Sequence, residues 1–162
     1  MTADATRGAL RHVLIAALVA GTIDIAYAIA WSVAHGGTVR GLLQAVASGW
    51  LGKAAFTGGA ASAALGLASH YGIVAAAAAL YLAASRHSAW LRAHPWIAGP
   101  LYGLAIFLTM DFVVVPLSAA PFHLHHRLWA TASDLASHLF GVGLVIALVT
   151  RRALGPVTPV PA

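Results

Sequence analysis

The chain contains no cysteine and no glutamate, and its only acidic residues are Asp4, Asp24, Asp111 and Asp134. Without cysteine there is no disulfide, no thiolate nucleophile and no cysteine-held metal. Charged residues of either sign make up 8% of the sequence, against about 25% in soluble domains. That leaves too few polar side chains to cover a water-facing surface. The net charge is +5, but the Lys and Arg residues are scattered at the ends of apolar stretches. Such scatter is the pattern of membrane topology, not of a stripe that follows phosphates, so no nucleic-acid partner is expected.

What the chain has instead is hydrocarbon. Hydrophobic residues account for 60% of the sequence and the mean hydropathy is +0.85. Apolar runs of about 20 residues suit a hydrocarbon layer about 30 Å thick. The pattern predicts an all-α membrane protein in one domain over residues 1–150. It has four transmembrane helices in a bundle, spanning residues 10–33, 61–84, 96–119 and 129–150. Arg7 and Arg11 before an apolar core, with Ala26-Tyr27-Ala28 behind it, also resemble a cleavable signal. Apolar character that continues through Ile29 and Trp31 favours a retained helix.

Residues 38–56 read differently. Arg40, Gln44 and Ser48 recur four apart, opposite Val39, Leu42, Leu43, Val46 and Trp50, with Thr38 as a candidate N-cap. This predicts one short amphipathic helix lying in the membrane interface; an extramembrane helix packed on the bundle is the competing reading. In the third span Gly99 and Gly103 form a small-xxx-small pair for close helix packing, and Pro116 is expected to kink or end the helix. Residues 151–162, with Pro156, Pro159 and Pro161, read as a flexible tail.

Four spans place both termini on one side. That side carries Arg7, Arg11, Arg86, Arg92, Arg151 and Arg152, against Arg40, Lys53 and Arg127 opposite, so both termini are expected to be cytoplasmic. Trp31, Trp50, Trp96 and Trp129 near the span ends fit an aromatic belt.

Asp24, Asp111 and Asp134 lie inside the apolar spans, as do His70 and His138. A carboxylate in hydrocarbon costs roughly 2.5 to 3.5 kcal/mol on insertion scales, so these residues should turn inward and find partners. At about 1.5 Å per residue, Asp24 and Asp111 sit roughly 20 Å from the inner boundary. His70 and His138 fall about 12 Å, and Asp134 about 6 Å, below the outer one. The expectation is a buried polar cluster of Asp24, His70, Asp111, Asp134 and His138 in the outer half of the bilayer. Asp134 and His138, four apart, share a helix face.

Three readings of that cluster compete. It handles protons or small cations, because burial and neighbouring charge move Asp and His pKa values in opposing directions. It is a structural network in a non-catalytic scaffold or accessory subunit, because polar residues join helices in lipid. Or it holds a divalent transition metal through His70, Asp111, Asp134 and His138, with His123, His125 and His126 as outer collectors. Haem between His70 and His138 ranks below these, and no cofactor is firmly implied. No nucleophile is set up for catalysis: Ser137 adjoins His138 but points to another side of the helix. Four helices make a narrow pore, which points to a homodimer.

The second half also resembles the YagU-like family of small bacterial inner-membrane proteins. The resemblance is carried by His70 followed by Tyr81, by Trp96, Gly99 and Gly103, by Pro116-Leu117, and by Ser133-Asp134-Leu-Ala-Ser-His138, over roughly residues 60 to 150. The family pattern has Glu where Asp134 stands and a His near the place of Asp111. The resemblance implies a bacterial inner-membrane location and supplies no activity.

Overall fold

The computed structural model describes residues 3–121 and 128–155. They form helices α1 (Ala3–Ala34), α2 (Val39–Leu51), α3 (Gly59–His87), α4 (Ala89–Ala93), α5 (Pro95–Leu117) and α6 (Leu128–Leu154), with a 3₁₀ segment Gly52–Thr57 before α3. Among the described residues four helices, α1, α3, α5 and α6, are long and apolar enough to cross a membrane.

These helices alternate in direction and pack through small residues. The core joins Ala16, Ala17 and Ala20 of α1 to Val74, Ala78 and Tyr81 of α3, Ala98 of α5, and Val142, Ile146 and Ala147 of α6. Leu18, Leu80, Leu101, Phe112 and Phe140 point outward instead. In water that distribution is unstable. In lipid, tails solvate leucine as well as a core does, and helices associate where small residues let backbones approach. α1 lies between α3 and α6, and α6 runs along both α1 and α5. α5 reaches α3 through the Tyr102 hydroxyl, which donates to the Ala77 carbonyl at 2.8 Å.

Among the four long helices the closest approach is between α5 and α6. A Cβ on Gly99 would lie 2.6 Å from Leu144 Cα, and one on Gly143 would lie 2.6 Å from Gly103 Cα. Glycine at these three positions is what lets the two backbones touch.

α2 is capped as its sequence suggests, with Thr38 Oγ1 accepting from the Gly41 amide at 3.0 Å. It packs against the start of α3. Of the polar stripe, Gln44 and Ser48 are buried and Arg40 is exposed, as are Val39, Trp50 and Leu51. Gln44 Nε2 donates to the Gly59 carbonyl at 3.1 Å and the Ser62 hydroxyl at 3.2 Å. The outward apolar edge suits an interfacial helix, so docking on the bundle and lying in the interface are compatible here.

Several helix ends differ from expectation: α1 begins at Ala3 rather than 10, and α3 runs from Gly59 to His87 rather than from 61 to 84. α5 stops at Leu117, short of 119, because Pro116 has no amide to give and Ser118 turns extended (ψ 175). α6 runs past 150: Arg151, Arg152, Ala153 and Leu154 are helical, and Gly155 leaves the helix at φ 75. The expected tail therefore loses residues 151–154 to the helix, and residues 156–162 lie outside the described residues.

Both α5 and α6 contain π-helical turns, at Met110–Val114 and Ser137–Gly143. The first precedes Pro116, whose ring crowds the carbonyl four residues back and disfavours a regular α-turn. The second has no proline in it and coincides with the polar residues of α6.

Candidate functional site

The seam between α1 and α6 carries two polar bridges, one helical turn apart. Tyr27 and Ser133 share a hydroxyl–hydroxyl bond of 2.6 Å. Ser137 donates its hydroxyl to Asp24 Oδ1 at 2.9 Å. Ser133 and Ser137 are spaced four apart, so both face α1.

His138 continues this set toward α5. Its Nδ1 donates to the Asp134 carbonyl at 3.0 Å and lies 3.5 Å from the Asp134 carboxylate. Its ring meets Phe107 of α5 edge-on, with centroids 5.6 Å apart. The His138 side chain is 16% exposed and that of Asp134 43%. One end of the pair is therefore enclosed and the other reaches the surroundings. A neutral imidazole that donates from Nδ1 presents Nε2 as an acceptor.

His70 lies on the other side of α1, in the seam with α3. Its Nε2 donates to the Gly21 carbonyl at 2.9 Å, and the neighbouring Tyr71 hydroxyl bonds Thr22 Oγ1 at 2.9 Å. Gly21 makes room for this: a Cβ there would lie 2.9 Å from the Tyr71 ring. Gly21 precedes Asp24 by three residues, about 4.5 Å along the helix axis. His70 is therefore near the level of Asp24, but its ring is committed to backbone. Asp111 stands half-buried on the π turn of α5, four residues beyond Phe107.

The structure thus joins Ser137 to Asp24 across α6 and α1 and His138 to Asp134 within α6, with Phe107 of α5 against the His138 ring, sets His70 beside Gly21, and places Asp111 beyond Phe107. This geometry gives the metal reading no support. Among the described residues no three His, Cys, Asp or Glu side chains come close enough to hold an ion. His70 points at a carbonyl and His138 Nδ1 turns back onto its own helix, so His70, Asp111, Asp134 and His138 do not form a ligand set. His123, His125 and His126 lie outside the described residues.

Ser137 is the residue that sequence reasoning turned away from the site. It does point to another side of α6 from His138, as its phase implies: Ser137 meets Asp24 of α1 and His138 meets Phe107 of α5. The available signal was the Ser133–Ser137 spacing against Asp24 and Tyr27 one turn apart on α1.

A pair of substitutions tests the charge on Asp24. Tyr27→Phe removes a neutral interhelical bond and should cost about 0.6 kcal/mol, the average for such bonds in lipid. Ser137→Ala removes the donor to a carboxylate and should cost about 1.5 to 3 kcal/mol if that carboxylate is ionised. Equilibrium unfolding in mixed micelles measures both. Equal costs would mean that Asp24 is protonated.

Lipid-length helices with small residues inside and large apolar ones outside define a multi-pass all-α membrane protein. Comparison of the chain with protein-family models, with curated proteins and with solved structures found no match in any of the three.

Proposed function

We propose that this protein handles protons at the Asp24–Ser137–His138–Asp134 set, in the inner membrane of a bacterium with both termini cytoplasmic. The observation that carries the reading is the Asp24 carboxylate, held between lipid-length helices by the hydroxyl of Ser137, the chain neighbour of His138. Titratable residues inside a membrane span are costly, and the usual return for that cost is a proton or ion path. The enclosed His138 and the more open Asp134 supply a proton acceptor and a route outward. The placement rests on the resemblance of residues 60–150 to the YagU-like family. It rests also on the basic residues at one end, Arg7, Arg11, Arg86, Arg92, Arg151 and Arg152, against Arg40 and Lys53 at the other.

Proteoliposomes with an entrapped pH indicator test this. Under an imposed potassium diffusion potential the wild-type protein should carry protons, and Asp24→Asn should lower the rate about 100-fold or more, the lower end of what a positioned proton-transfer group contributes. Its helix content and melting should be kept. A wild-type rate in Asp24→Asn ends the proposal.

A second reading has its own support. His70 on Gly21, Tyr71 on Thr22, Tyr27 on Ser133 and Tyr102 on Ala77 are all bonds between helices. They suit a scaffold or accessory subunit whose polar residues fix helix register. Wild-type liposomes no leakier to protons than empty ones would favour it.

A further inference from the structure

The arginine-bearing end of the bundle holds a concavity that the polar set does not use. It measures about 440 Å³ and is lined by Trp96 at the start of α5 and by Leu148, Arg151, Arg152 and Gly155 at the end of α6. Both arginines are exposed, and Trp96 is 66% exposed. Asp24, Asp111 and Asp134 lie in the opposite half of their helices and do not neutralise the pair. Leu148, one turn before the arginines, extends the wall toward the hydrocarbon.

We propose that this concavity binds an anionic phospholipid. The phosphate sits against Arg151 and Arg152, Trp96 packs beside the headgroup and glycerol, and an acyl chain descends past Leu148 along the outer face of α6. Guanidinium groups are suited to phosphate because their planar donors meet two oxygens at once. Tryptophan is at home at headgroup depth, where one end of its ring is apolar and the other wet. Basic pockets between spans at a membrane surface recognise lipid headgroups by this combination. The apolar wall is what selects a lipid over free phosphate, which has no use for Leu148. The site stands independently of proton handling.

Native mass spectrometry of the whole protein in detergent, titrated with dioleoyl-phosphatidylglycerol or dioleoyl-phosphatidylcholine, tests the assignment. The wild-type protein should bind the glycerol lipid about tenfold more tightly. The double variant R151Q/R152Q should lose at least about fivefold of that affinity. R7Q/R11Q removes the same charge from exposed positions on α1, outside the concavity, and should change affinity by less than about twofold. Any of three results overturns the proposal: equal binding of the two lipids, an equal loss in both double variants, or displacement of the lipid by millimolar inorganic phosphate.

Discussion

Gly143→Ala is expected to lower stability by about 3 kcal/mol, the upper range for overpacking a tight site. For a chain of this length that is about 10 °C in melting midpoint. The reason is what the added methyl meets. It lies 2.6 Å from Gly103 Cα and closer still to the Gly103 amide and the Gly99 carbonyl. All are backbone atoms, so no side chain can rotate aside, and α5 and α6 must separate. Separation also strips Gly99 from Leu144 and Ala147, and Phe107 from His138. Gly72 supplies the control: nothing lies within 4 Å of its Cβ position. There alanine gains helix propensity of about 1 kcal/mol, and stability should hold or rise. Thermal unfolding of both variants in the same detergent checks the opposed signs. Similar midpoints would mean that the α5–α6 crossing is looser than described.

Gly66→Ala should release α2 with the transmembrane bundle intact. The Cβ would strike the Leu43 carbonyl oxygen, lie 2.8 Å from its carbon, and come within 3.2 Å of the Ala47 amide. α2 has 13 residues, close to the limit below which an isolated helix is marginal. Once undocked it should fray. Amide exchange over residues 39–51 in micelles should then speed up by about 100-fold, as a loss of about 3 kcal/mol of local stability requires. Exchange in α1 and α6 should stay as in the wild type. Unchanged protection of α2 would show that Gln44, through Gly59 and Ser62, holds the helix without the close crossing.

The spans were legible because a run of apolar residues has one use at that length. Their ends were less so: Arg151 to Leu154 are ordinary helix formers, and helical propensity carries the chain past the end of the continuous apolar run. The two faces of α2 were legible as faces, but which of them packs on the bundle was not. A rule written for water puts Gln44 and Ser48 outside; beside lipid, Gln44 belongs against Gly59 and Ser62, where it has partners. His70 was recognisable as a polar intruder, yet its partner is a glycine carbonyl, and a backbone atom leaves no mark in side-chain pattern. Asp134 and His138 could be paired from spacing alone. The bond from Ser137 to Asp24 also needs the register of α6 against α1, which the spacing of Ser133 and Ser137 alone does not give.

The irregular pitch of the π turn in α6 constrains how that helix can change. A π turn closes its hydrogen bonds over one more residue than an α turn, and one residue is about 100° of rotation on a regular helix. The segment Ser137–Gly143 therefore sets the phase between two contacts on one helix: Ser137 on Asp24 at its start and Gly143 on Gly103 at its end. Restored to uninterrupted α geometry, the helix would keep one of them and swing the other away. No side-chain replacement supplies or removes that rotation; only the gain or loss of a residue does. Within this stretch, chain length is as much a determinant of the site as amino-acid identity.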